Sequence, residues 1–92
     1  SITSAISIDE KAFVGAFKMK MDEQELYINL GRRIKYLREK ASLTQEKLAE
    51  KCGISLDYLG KIEVNINKPG LKTLIKIANA LDIPVKLLFE FD

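Results

Sequence analysis

TQEKLAEKCGISLDYLGKIE, residues 44–63, reads as two short helices joined at Gly53. Thr44 is placed to cap the first of them, because a threonine oxygen accepts from a free backbone N–H two or three residues on. Leu48, Ala49 and Cys52 then share its inner face, and Gly53 ends it by tolerating positive φ. Ser55 caps the next helix, whose inward residues are Tyr58, Leu59 and Ile62 and whose outward residues are Leu56, Asp57, Gly60 and Lys61. Two helices crossing so closely need a small residue at the crossing, a glycine in the turn and two apolar anchors on the second helix. Ala49, Gly53, Leu59 and Ile62 meet those needs.

Upstream, Leu30, Ile34, Leu37 and Ala41 recur at helical spacing, with Tyr27 extending the stripe backwards, so a helix is expected from about Glu23 to Lys40. Ser42 and Leu43 close it. Downstream, VNINKPG (64–70) is rich in turn-formers, and Leu71, Leu74, Ile75, Ala78 and Leu81 mark one side of a fourth helix from about Leu71 to Leu81. Pro84 suits the first turn of a fifth helix holding Val85, Leu87, Leu88 and Phe89. The expectation is an all-α fold of five short helices over residues 21–92, preceded by an N-terminal extension over 1–20. In that extension Ile2, Ser4, Ile6 and Ile8 alternate as in a strand, whereas Phe13, Ala16 and Phe17 follow a possible Asp9 cap at helical spacing. It is either an ordered arm that packs on a partner chain or sequence upstream of a start at Met19 or Met21.

Ninety-two residues with 47% hydrophobic content can close one small core. There is no histidine and a single cysteine, which removes the commonest general base, any Cys/His dyad and any zinc cluster. No phosphate-binding glycine loop is present, and the carboxylates lie among lysines on polar faces. No catalytic residue, metal or cofactor is expected, and an enzyme is disfavoured. Cys52 reads as a small core residue and suits a reducing, cytoplasmic setting. No run approaches the roughly 18 apolar residues of a membrane span, and SITSAISIDE lacks the basic start of a signal peptide. The net charge is only +2, but Arg32, Arg33, Lys35, Arg38 and Lys40 face the single acid Glu39 within one helix, either a patch that attracts phosphate or a solvated face.

The segments IKYLREKASLTQEKLAEKCGIS (34–55), YLGKIE (58–63) and NKPGLKTLIKIANALDIPVKLLF (67–89) together resemble the lambda-repressor-like, Cro/repressor-type (Xre-like) helix-turn-helix domains of bacterial and phage regulators. The resemblance implies that Thr44 and Gln45 hold a DNA phosphate at the start of the second helix, joined by Ser55, Asn67 and Lys68. It implies a buried ion pair between Arg38 and Glu63. The third helix would enter the major groove, with Leu56 against a thymine methyl, Asp57 accepting from cytosine and Lys61 donating to guanine. The chain departs from its relatives here, since they commonly place Gln, Arg, Ser or Asn at these three positions. Val64 and Ile66 stand where many have basic residues around a glycine that is Asn65 in this chain.

The implied function is a sequence-specific DNA-binding transcriptional regulator, a repressor, working as a homodimer on a pseudo-palindromic site in double-stranded DNA. Its two recognition helices would lie about 34 Å apart in successive major grooves. The interface would come from the fifth helix, through Leu87, Leu88 and Phe89, or from the first twenty residues. The competing expectation is a protein-interaction module, such as an antitoxin or phage-control partner, using an apolar patch of Leu56, Val64 and Ile66. Neither reading calls for a membrane or a small-molecule ligand.

Overall fold

In a computed structural model that describes residues 21–91, the chain forms four α-helices and one 3-10 helix, with no strand among the described residues. The helices are α1 (Glu23–Lys40), α2 (Gln45–Cys52), α3 (Leu56–Glu63) and α4 (Leu71–Leu81), and the chain ends in the 3-10 helix Val85–Phe89. Both expectations for the extension, strand or helix, fall on residues 1–20 and lie outside the described residues.

Local chemistry sets each start. Asp22 and Glu25 form a reciprocal capping box on α1, with the Glu25 N–H donating to Asp22 Oδ1 at 2.8 Å. Thr44 and Ser55 cap α2 and α3 by accepting from the N–H groups of Lys47 and Tyr58, each at 3.0 Å. All four α-helices stop the same way, in a left-handed residue and then a backbone bond that reaches back five positions. The left-handed residues are Ser42, Gly53, Asn65 and Asp82, and the closing bonds are Leu43 to Arg38, Ile54 to Ala49, Ile66 to Lys61 and Ile83 to Ala78. Only Gly53 of the four announces this conformation in the sequence.

The core is built from Leu30, Ile34, Leu48, Ala49, Leu59, Ile62, Leu74, Ile77, Ala78 and Leu88, with Cys52 and Leu81 at its edge. Burying one such leucine or isoleucine contributes about 1.5–3 kcal/mol. Burial pushes the Cys52 thiol up, opposed by the charge of Lys76, so the cysteine packs as an inert small residue. Contacts run in a ring, α1 against α3, α3 against α2, α2 against α4, α4 against the 3-10 helix, and that helix back against α1.

Three expectations need correction. Ile75 is exposed and Ile77 is fully buried, while Leu71 also faces out: 71, 74, 75, 78 and 74, 77, 78, 81 are both helical stripes, and the α2 contact selects the second. Ala41 is the exposed C-cap of α1, one residue past its inward face. Pro84 stands at the N-cap rather than inside a first turn, and it opens a short 3-10 helix, not an α-helix, with Leu88 driven into the core. Leu88 is therefore unavailable as a surface contact.

Candidate nucleic-acid interface

The α2–turn–α3 unit is held to the rest of the molecule at the end of α3. Gly31 on α1 lies against it so closely that an added Cβ would sit 2.6 Å from the Ile62 carbonyl oxygen and 2.8 Å from that of Glu63. Beside this contact, Glu63 accepts from Arg38 Nε at 2.8 Å and from Arg38 Nη2 at 3.1 Å, a bidentate pair with both side chains buried. Arg38 gives a third donor to the Leu43 carbonyl at 2.8 Å, tying the α1–α2 loop into the same cluster. The bonds to Glu63 hold the guanidinium above its ordinary value, against the lowering effect of burial.

Gln45 joins this cluster. Its Nε2 donates to Glu63 Oε1 at 2.9 Å, and its amide passes beside Gly60 of α3. Motif position assigns Gln45 to phosphate and signals neither this bond nor the Gly31 contact. With the amide engaged, the polar groups left open at the start of α2 are the first-turn N–H groups of Gln45 and Glu46. They precede the first helical bond, from the Leu48 N–H to the Thr44 carbonyl. Thr44 and Ser55 use an oxygen lone pair for capping and keep a hydroxyl hydrogen to donate.

The outward start of α3 carries Leu56, exposed at 48%, and the pair Asp57 and Lys61, whose Oδ2 and Nζ lie 3.1 Å apart one turn from each other. The two residues assigned separately to bases thus present one joined unit. Past α3, the Ile66 and Asn67 N–H groups both return to the Lys61 carbonyl, at 2.7 and 3.1 Å, which folds Asn67 against the last turn of α3. Lys68 is drawn elsewhere, with Nζ 3.9 Å from Glu23 and over the Tyr27 ring at 5.8 Å. Val64 and Ile66 stand exposed at 64% and 66%.

The basic block on α1 divides. Arg38 is buried, and Arg33 donates from Nε to the Leu87 carbonyl at 2.8 Å, clamping the 3-10 helix to α1. Arg32, Lys35 and Lys40 remain on the surface, Lys40 with its ammonium 5.7 Å from the centroid of the Tyr36 ring. Two of the five are thus engaged within the fold, which leaves Arg32, Lys35 and Lys40 as the exposed cations of the block. Among the described residues no helix is long and apolar enough to cross a membrane, and no cluster of His, Cys, Asp or Glu is placed to hold a metal.

Comparison with known proteins returns the same unit. The helix-turn-helix (HTH_3) family profile matches residues 34–88. The immunity repressor protein of Bacillus phage phi105 is 43% identical over 61 residues, 66% of this chain and 42% of that protein. The HTH-type transcriptional regulator SinR of Bacillus subtilis (strain 168) is 36% identical over 62 residues, 66% of this chain and 56% of that protein. Among solved structures, the restriction-modification controller protein C.AhdI from Aeromonas hydrophila superposes with a TM-score of 0.68 at 35% identity, covering 68% of this chain and 96% of that one. The biofilm regulator SinR in complex with DNA superposes with a TM-score of 0.63 at 35% identity, covering 66% of this chain and 98% of that one. The chain spans about half the length of the curated relatives it matches.

Proposed function

The chain belongs to the helix-turn-helix family, and from that premise we propose that it is a non-enzymatic, sequence-specific DNA-binding transcriptional regulator, a repressor that acts as a homodimer on a pseudo-palindromic site. The observation that carries this reading is the outward α3 start, flanked by two capped helix N-termini and held in place by the buried Arg38–Glu63–Gln45 cluster. In this reading α3 enters the major groove. The N–H groups at the start of α2, with the hydroxyls of Thr44 and Ser55, take phosphates, and Asn67 approaches the backbone beside them, joined by Lys68 once its ammonium leaves Glu23. The kinship to a phage immunity repressor and to SinR, which has been solved on DNA, supports it. A single eight-residue helix with so few base contacts supplies too little discrimination against a genome of competing sites, and two copies on one site supply it twice.

The exposure of Leu56, Val64 and Ile66 favours one competing reading, a module that binds protein through this face. Selection of bound sequences from a random duplex pool, combined with a salt titration, separates the two. A regulator enriches a two-fold symmetric motif with half-sites about one helical turn apart and loses affinity steeply as salt rises. A protein-binding module enriches nothing and responds little to salt.

A further inference from the structure

We propose that Asp57 and Lys61 act as one unit that reads a single G·C base pair, the ammonium on guanine and the carboxylate on the cytosine amino group. This rests on the DNA-reading function proposed above. The two side chains come from successive turns of α3 and already meet at their tips, 3.1 Å apart. In the major groove guanine presents two adjacent acceptors, N7 and O6, and cytosine presents the N4 donor. O6 and N4 are hydrogen-bonded to each other across the pair, so they lie about 2.9 Å apart, the usual length of such a bond. The protein pair and the base pair therefore offer matched edges, donor facing acceptor and acceptor facing donor, with both protein groups close enough to meet neighbouring atoms of one base pair.

Counting donors gives the same answer. An ammonium has three N–H groups, and with one engaged by Asp57 two remain, one for O6 and one for N7. The carboxylate uses Oδ2 for Lys61 and keeps Oδ1 for the N4 hydrogen that points into the groove. An A·T pair breaks the match, because the adenine N6 donor then sits between the two acceptors and faces the ammonium. A reversed C·G pair puts the donor on the ammonium side. If the two side chains read distant bases instead, the pair would separate and Asp57 would face the phosphates with no cation beside it. Holding the pair together removes that repulsion, and α3 need not change for it, since the contact is already made.

The test uses the pool-selected site and the four possible base pairs at each of its positions, with affinities measured for the wild type, Asp57→Asn, Lys61→Gln, the double variant and the exchanged variant Asp57→Lys/Lys61→Asp. The wild type is expected to prefer G·C at one position per half-site by about 5- to 150-fold, the size of a good bidentate base contact. Each single variant should flatten the preference at that position alone, and the double variant should flatten it no further. The exchanged variant should favour C·G. Thermal midpoints check that every variant folds, and if the exchanged variant does not, the two single variants still decide. Single variants that alter two different positions, that add, or that leave the G·C preference intact would overturn the paired reading while leaving the regulator standing. A pool that enriches no sequence removes the regulator and the paired reading together.

Discussion

At the end of α3, Glu63 meets Arg38 at 2.8 Å with side chains 1% and 9% exposed; two residues back along the same helix, Lys61 meets Asp57 at 3.1 Å with side chains 44% and 76% exposed. Two residues turn a helix by about 200°, so the pairs project from opposite faces. The buried pair accepts help from every side, from Gln45, from the Leu43 carbonyl and from the close packing of Gly31. The exposed pair has only itself. Two ion pairs of similar length therefore do different work: one fixes where α3 sits, and the other is charge that α3 can present to a partner. Exposed pairs contribute about 0–1 kcal/mol, whereas breaking a buried one strands a charge without water.

The sharpest way to test that contrast is at the buried end. Arg38→Ala should cost about 3–5 kcal/mol in denaturant unfolding, because Glu63 keeps its charge and loses its counter-ion. Replacing both Arg38 and Glu63 with well-packed apolar residues should recover much of that loss, whereas simple additivity of the two changes would show that they are not a coupled pair. Gly31→Ala comes next. The new methyl meets two backbone carbonyls that cannot move aside, so α1 and α3 must part, and overpacking should outweigh the better helix propensity of alanine by about 1–2 kcal/mol. A chemical melt no less stable than the wild type would mean that α1 and α3 can separate at little cost.

Gln45→Ala probes the link between the two ends. It removes one of three donors from Glu63, an expected cost of about 1 kcal/mol, and it loosens the start of α2. Affinity for random and preferred duplexes should fall together, since contacts at that helix start carry no sequence information. A loss confined to the preferred duplex would place the amide on a base instead. The smallest stability change belongs to Asp57→Asn, expected within about 0.5 kcal/mol of the wild type in a thermal melt. Random duplex should bind this variant more tightly, because the Lys61 ammonium is then no longer neutralised by a carboxylate beside it. A large destabilisation would erase the distinction between the two pairs.

Helix starts are legible in the sequence because their chemistry is local: Thr44 and Ser55 cap with their own oxygens, and Asp22 pairs with a residue three positions on. The choice between Ile75 and Ile77 is not, since both satisfy the period and only the neighbouring helix distinguishes them. Left-handed stops at Ser42, Asn65 and Asp82 are equally hidden, because the closing bond is set by where the next segment must go. At the candidate site, residue identities come from motif position, but the partners of Gln45 and Lys68 depend on side chains 18 and 45 residues away in sequence, Glu63 and Glu23. Gly31 carries no signal at all, since a glycine inside a helix looks like a weak spot until the carbonyls opposite are known.

The ring of contacts has a consequence for how the domain opens. In a linear stack a terminal element can peel away by breaking one interface, but here every element touches two, and the 3-10 helix that looks dispensable is the link between α4 and α1, fastened by Arg33 to the Leu87 carbonyl. Partial opening anywhere sacrifices two interfaces at once, which raises the cost of sub-global unfolding above that of a linear stack. The amide protons of α1 and α4 would then be protected about as well as those of α2 and α3, whereas a chain cut before Val85 becomes a linear stack and would fray first at α1 and α4.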